Sequence, residues 1–447
     1  MPSLQAIIME HSLLQLIDPM KKQVLLLFAL AASTSFAQTL KAPEKAIVAK
    51  VAADMPQTME LLKEVVNINS GTLNLAGVRQ VGDVFKREFD AMGFTTEWVS
   101  LPDDLNRAGH FVATRKGTKG KKLFLIGHLD TVFEKSMPFT PFTMINDSTA
   151  TGQGANDMKG GDVMIVAALK ALHAQGLLDN TSITVYFTGD EESSGKPTSV
   201  SRKDFIERAK MTEIALAYET AQSFNIAATA RRGASGWLLT TYGKTGHSSG
   251  VFGKNTGYGS IYEAARILNE FRETLSQEKY LTFNPGVMVG GTEVNYDPKQ
   301  AKGESVGKTN IVAQKTIVTG DLRFLTEGQK EAARAKMREI VARNLDGTSA
   351  EIEFSDGIPG MEPKAGNAKV LSVLNQVSLD MGLGAVKAGD PGSRGAGDIS
   401  YIAEYVDCLD GLGASGTGAH APGETINLKV YPALTQRSAL LIYRLTR

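Results

Sequence analysis

The chain predicts an α/β protein: a mostly parallel sheet covered by helices, with a smaller two-layer α/β unit inserted into it. Three observations carry this prediction. KLFLIG (122–127), SITVYF (182–187) and EIALAY (213–218) are short apolar runs that end in polar residues and read as buried strands. Between the first two lies GGDVMIVAALKALHAQG (160–176), a helical segment stopped by glycine. Near Ala230 the texture changes to strand-helix-strand-strand-helix-strand, and the first texture resumes near Pro359. Strands alternating with helices imply a parallel sheet with both faces covered.

The N-terminus reads as a secretory signal. Met20-Lys21-Lys22 is basic, VLLLFALAA (24–32) is apolar, and Ser35-Phe36-Ala37 is a small-x-small cleavage pattern, placing cleavage after Ala37. Residues before Met20 do not fit the first region of a signal, which makes Met20 a candidate translation start. The apolar run is too short to span a bilayer, so no membrane span is expected in the mature protein. A periplasmic or secreted location follows as an expectation. Residues 44–67 and 78–92 then carry helical spacing.

The inserted unit is read in the same way. ASGWLLTTYG is a strand and TGYGSIYEAARILNEFRETL a helix. NPGVMVGGTEV and NIVAQKTIVTGDLRF are strands, 327–344 is a charged amphipathic helix, and AEIEF is a strand. The expected organisation is therefore a signal segment (1–37), a first part of the parallel-sheet domain (38–229), the insert (230–357) and a second part of that domain (358–447). The 48 basic and 48 acidic residues cancel, which gives no nucleic acid partner any electrostatic footing. The single cysteine, Cys408, forms no internal disulfide and reads as a buried small hydrophobe.

Sites in parallel α/β sheets form beyond the carboxyl ends of strands. Here those ends are rich in metal-ligand types. KLFLIG runs directly into His128-Leu129-Asp130, where Asp130 can steady the imidazole of His128, or the pair can be a plain hydrogen-bonded turn. GQGANDMKGG (152–161) brings Asp157 to a helix start, as a ligand or as an N-cap. SITVYF delivers Asp190-Glu191-Glu192, EIALAY delivers Glu219, and GTGAHAPGE presents His420 in a glycine-rich loop. Two histidines with three carboxylates suit two borderline cations such as zinc, one carboxylate being shared. Magnesium or calcium would call for oxygen ligands alone.

Taken in order, GHLDTV, GANDMKGG, TGDEES, YET and GAH resemble the motifs of the co-catalytic zinc metallopeptidases. That family includes glutamate carboxypeptidase, aminoacylase, acetylornithine deacetylase and succinyl-diaminopimelate desuccinylase. The resemblance spans essentially the whole mature chain, and it implies a zinc-hydrolase catalytic domain with an inserted lid and dimerisation domain. It implies two Zn2+ per subunit, with cobalt or manganese as substitutes: Asp157 bridging, His128 and Glu219 completing one ion, Glu192 and His420 the other. Asp130 becomes the partner of His128, Glu191 the unligated general base, and the Asp157-Met158 peptide cis. YGKTGHSSG resembles the family segment whose histidine, here His247, reaches into the partner subunit's site in a homodimer. Asn310 and Arg323 match positions that contact substrate, Arg323 a carboxylate. The family's usual proline three residues after that asparagine is replaced by Ala313, which loosens the placement of Asn310.

The implied chemistry is metal-assisted amide hydrolysis on a small peptide or N-acyl amino acid. Release of a C-terminal amino acid, as by glutamate carboxypeptidase, is the first reading. Aminoacylase, deacetylase or dipeptidase activity is the alternative, and an inactive zinc- or peptide-binding homologue is the rival from another class. His110 reads as structural and His173 as a solvated helix residue. GDPGSRGAGDIS (389–400) reads as a surface turn, with a loop lining the substrate pocket through Arg394 or Asp398 as the alternative, and Asp190 has no assigned role.

Overall fold

A computed structural model describes residues 40–298 and 300–447. The signal segment, its Ala37 cleavage point and the Met20 start lie outside the described residues. The first sheet has six strands in the order Thr95–Val99, His110–Arg115, Thr181–Thr188, Lys119–His128, Ile214–Ala217 and Asp407–Leu409. The pairings from Thr181–Thr188 through Asp407–Leu409 are parallel, and the two at the other edge are antiparallel.

The unbroken apolar runs follow from burial on both faces. Successive strand side chains point to opposite faces, so Leu123 and Leu125 enter one core while Phe124 and Ile126 enter the other. The larger core lies under the helices Ala42–Ala53, Met55–Val66, Lys159–His173 and Tyr431–Leu445. The smaller holds Phe124, Tyr186 and Phe205, whose rings meet edge-on or tilted at 5.0–5.8 Å. Cys408 is buried there without a disulfide.

Two elements differ from their expected form. Residues 44–67 make two helices, because the first ends at Asp54 and Pro56 fits the first turn of the second, where its missing N–H costs nothing. The helical segment 160–176 begins with Lys159 and ends at His173, which is exposed as expected.

The second sheet is antiparallel, ordered Thr282–Gly291, Lys315–Phe324, Gly233–Gly243 and Thr348–Asp356. The helices Ser260–Leu275 and Glu327–Val341 cover it through Trp237, Leu239, Ile267, Phe271, Val318, Met337 and Ile340. A hairpin of Glu293–Asp297 with Lys302–Val306, absent from the sequence reading, extends from this unit. The two chain crossings between the sheets run side by side: Arg231 and Met361 exchange both backbone hydrogen bonds at 3.0 Å. A small four-stranded sheet of Thr143–Asn146, Thr149–Thr151, Gly416–Thr417 and Thr425–Asn427 joins distant parts of the first unit. Among the described residues no helix is long and apolar enough to cross a membrane.

The start of the Lys159–His173 helix packs against the end of Ile214–Ala217 at Gly161. A Cβ there would lie 2.1 Å from the Tyr218 carbonyl oxygen, a backbone atom that cannot rotate away. Gly161→Ala is expected to cost about 1–3 kcal/mol through overpacking, read by urea denaturation. An unchanged midpoint would contradict this account of the close approach.

Candidate active site

The parallel strands deliver their polar ends to one place. His128 closes Lys119–His128, Asp190, Glu191 and Glu192 follow Thr181–Thr188, and Glu219 follows Ile214–Ala217. Asp157 stands before the Lys159–His173 helix, whose N-cap position is Met158, so the N-cap alternative for Asp157 does not hold. The Asp157-Met158 peptide is cis.

Asp157 turns its two oxygens to two groups. Oδ1 lies 3.4 Å from His128 Nε2, and that nitrogen is 3.8 Å from Glu219 Oε1. Oδ2 lies 3.2 Å from His420 Nε2, itself 3.1 Å from Glu192 Oε2. Both triads keep their ligand atoms within 4.8 Å of one another. Donors at about 2.0–2.2 Å from one tetrahedral ion lie roughly 3.3 Å apart, which these spacings match. His128 Nε2 and Glu192 Oε1 are buried with no hydrogen-bond partner, an expensive state for protein polar atoms alone. The donor set fits a pair of metal ions sharing Asp157.

Asp130 stands behind His128 and also reaches the acidic loop. The Nδ1–H of His128 donates to the backbone carbonyl of Asp130 at 3.0 Å, while the Asp130 carboxylate stands 3.5 Å from that nitrogen. The carboxylate also accepts from Thr72 Oγ1 at 2.6 Å and from the backbone N–H groups of Glu191 and Glu192 at 3.0 and 3.2 Å. Residues 190–192 lie beyond the strand, so this clamp on their amides, and not strand alternation, sets where the two glutamates go.

Asp190 now has a partner. Arg202, fully buried, gives Nη1 to Asp190 Oδ1 at 2.6 Å and Nε to Asp398 Oδ1 at 2.8 Å. Asp190 Oδ2 accepts from Gly195 N–H, and Asp398 Oδ2 from Thr188 Oγ1. The surface-turn reading of 389–400 fails at Asp398, which is 4% exposed and closes this network beneath the acidic loop. His110 is structural: its Nε2–H donates to the Ser201 carbonyl and Nδ1 accepts from Gly189 N–H. No sequence signal distinguished Arg202 from a surface arginine.

Crowding shifts the proton affinities. Burial, with the charge of Glu219, pushes Glu191 well up, and burial with the charge of Asp157 pushes Glu219 up to about 7. Hydrogen bonds to Asp157 and Glu192 raise His420 to about 11. Burial alone would depress His128, but Asp130 and Asp157 raise it well above its ordinary range. Burial also opposes ionisation of Asp157, yet the two histidines facing its oxygens hold it below the usual carboxylate range.

His247 and Asn310 sit elsewhere, together and exposed on loops of the second unit, where Ser248 N–H donates to the Asn310 carbonyl at 2.9 Å. Arg323 lies on Lys315–Phe324 with Nε 2.7 Å from Asp321 Oδ2. Among the described residues, no hydrogen bond or ion pair joins these three to the Asp157 cluster.

Such a fold and such a cluster define a metal-dependent hydrolase. The family model for peptidase family M20/M25/M40 matches residues 124–444, and the chain belongs to that family. Carboxypeptidase G2 from Pseudomonas sp. (strain RS-16) is 25% identical over 395 residues, covering 87% of this chain and 89% of its own. Succinyl-diaminopimelate desuccinylase from Psychrobacter sp. (strain PRwf-1) is 25% identical over 317 residues, 68% of this chain and 75% of its own. The fold is that of aminopeptidase PepT from Bacillus cereus (TM-score 0.71, 19% identity, 87% and 98% covered). It is also that of a dinuclear metal-binding M20 peptidase from Bacillus subtilis (TM-score 0.62, 12% identity, 88% and 99% covered).

Two outcomes are expected. Arg202→Met leaves Asp190 and Asp398 buried without their cation and should cost about 3–5 kcal/mol in urea denaturation of the metal-loaded protein; a loss under about 1 kcal/mol would contradict the network. Metal ligation needs neutral histidine and ionised carboxylate, whereas the neighbouring carboxylates raise the proton affinity of His128 and His420 in the metal-free protein. Zinc uptake at pH 7 should therefore release protons, and apparent affinity should rise with pH by about tenfold per unit or more. Titration calorimetry in buffers of different ionisation enthalpy reads the release, and pH-independent binding would contradict it.

Proposed function

We propose that the protein is an exported di-zinc metallopeptidase that hydrolyses an amide bond and releases a C-terminal amino acid from a peptide or N-acyl amino acid. One observation carries the reading: the two oxygens of Asp157 face two separate histidine-carboxylate pairs. His128, Asp157 and Glu219 would hold one ion, and Asp157, Glu192 and His420 the other. When bound, the ions would supply Lewis acidity and would lower the pKa of a water to roughly 7.

Glu191 is the general base. It follows the clamp on its own amide, is raised in proton affinity, and is assigned to neither ligand group. It takes a proton from the attacking water and returns it to the leaving amine nitrogen. His247 of the partner subunit donates to the reacting carbonyl oxygen, which makes the active form a homodimer. Arg323 pairs with a substrate carboxylate, and Asn310 positions the acyl group. The similarity to carboxypeptidase G2 over 87% of the chain supports the choice of a C-terminal amino acid as product. The basic, apolar and small-x-small pattern ending at Ala37 supports export.

Glu191→Gln should keep both zinc ions and lower kcat by about a hundredfold or more. Metal analysis and steady-state kinetics on the same preparation read this, and retained turnover would remove Glu191 from its role. A panel of N-acyl amino acids, dipeptides and peptides with C-terminal glutamate separates the readings. Preference for the last supports the carboxypeptidase assignment, preference for simple N-acyl groups an aminoacylase, and dipeptides a dipeptidase. Full zinc loading with no turnover on any substrate favours a binding protein.

A further inference from the structure

The loop carrying Asp157 and the loop carrying His420 are more than 260 residues apart in the chain, and one side chain ties them together. Glu424 lies four residues beyond His420 and is 2% exposed. Its Oε1 accepts from the N–H groups of Asn156 at 2.7 Å and Asp157 at 2.8 Å, and its Oε2 accepts from Gly154 N–H at 2.9 Å. Its backbone oxygen takes Thr151 Oγ1 at 2.7 Å and Gly152 N–H at 3.3 Å. From the next residue the chain pairs with Thr149–Thr151, residue for residue, from Thr425 to Asn427.

His420 needs such an anchor. Its side chain is 58% exposed, against 14% or less for the other ligands, so packing does little to hold it. Its backbone is left-handed, with φ 65°, a conformation that costs a non-glycine residue about 1–3 kcal/mol and persists only where surroundings impose it. Two turns shape the loop, Ala421 N–H to the Gly418 carbonyl and Glu424 N–H to the Ala421 carbonyl. Glu424 is where those turns become fixed to something outside the loop.

The chemistry of the anchor is specific. Three converging N–H donors need two acceptor oxygens and no donor, which a carboxylate supplies and an amide does not. No ion pair to Glu424 occurs among the described residues, so these bonds are its compensation for burial, which itself pushes the carboxyl up to about 7.

Resting on the di-zinc reading above, we infer that Glu424 is a positioning residue that locks the Asp157 loop to the His420 loop and thereby sets the spacing of the two metal sites. It belongs to neither ligand triad. It acts through the peptide of the bridging aspartate on one side and the ligand loop on the other.

The test uses Glu424→Gln in the full chain beside the wild type, measuring zinc affinity by chelator competition, the visible absorption of the Co2+-loaded proteins, and kcat and KM. The variant should bind one of its two ions roughly tenfold or more weakly, a typical cost of losing a group that orients a ligand. Its Co2+ spectrum should differ from the wild type. Its kcat should fall with little change in KM, and excess metal should restore part of the loss. A variant with wild-type affinity, spectrum and kcat overturns the inference while leaving the di-zinc reading intact. A wild type that binds no metal overturns the di-zinc reading itself. If the variant does not fold, hydrogen exchange of the wild type carries the test. Adding Zn2+ should raise protection of peptides covering 152–158 and 418–425 together, and a rise confined to one loop overturns the inference.

Discussion

Everything at the site depends on holding like charges together. Asp130, Asp157, Glu191, Glu192 and Glu219 gather where parallel strands end, and burial with neighbouring negative charge raises the proton affinity of the three glutamates. Asp157 is the point at which this crowding is organised. Its two oxygens face two histidines, so Glu219 and Glu192 are sorted into two triads around one shared member. A cation in each triad, with Arg202 against Asp190, would offset the repulsion among the acids that follow a core strand.

Around that centre the fold spends buried polar groups on orientation. Asp130 clamps the amides of Glu191 and Glu192, and Arg202 neutralises Asp190 and Asp398 below them. Arg231, joined to Asp410 at 2.5 Å, fixes the crossing to the second sheet close to Glu219. Each is a charge removed from water that gains its compensation from a defined partner, an arrangement that is costly when one member is lost. The acidic loop is therefore held from beneath while its ligand atoms stay available above.

The parts legible in the sequence were those whose partners are local or whose chemistry is unusual. Buried strands ending in His128, Glu192 and Glu219 stand out because apolar runs have no reason of their own to end in metal ligands. Other features were hidden because their partners lie far away in the chain. Arg202 looks like any charged helix residue until Asp398, 196 positions away, comes to meet it. Glu424 was in plain view after His420, but its partners are backbone amides, which leave no trace in residue types. The strand Thr95–Val99 and the hairpin Glu293–Asp297 with Lys302–Val306 are edge elements with mixed polar composition, and the apolar pattern that marks central strands is weak there.

The central claim is that one carboxylate joins two metal sites. Crystals of the zinc-loaded protein, with anomalous diffraction collected on both sides of the zinc edge, test it most directly. The account predicts two zinc peaks per subunit, one among His128, Asp157 and Glu219 and the other among Asp157, Glu192 and His420. A single peak, or ions bound away from Asp157, would contradict it.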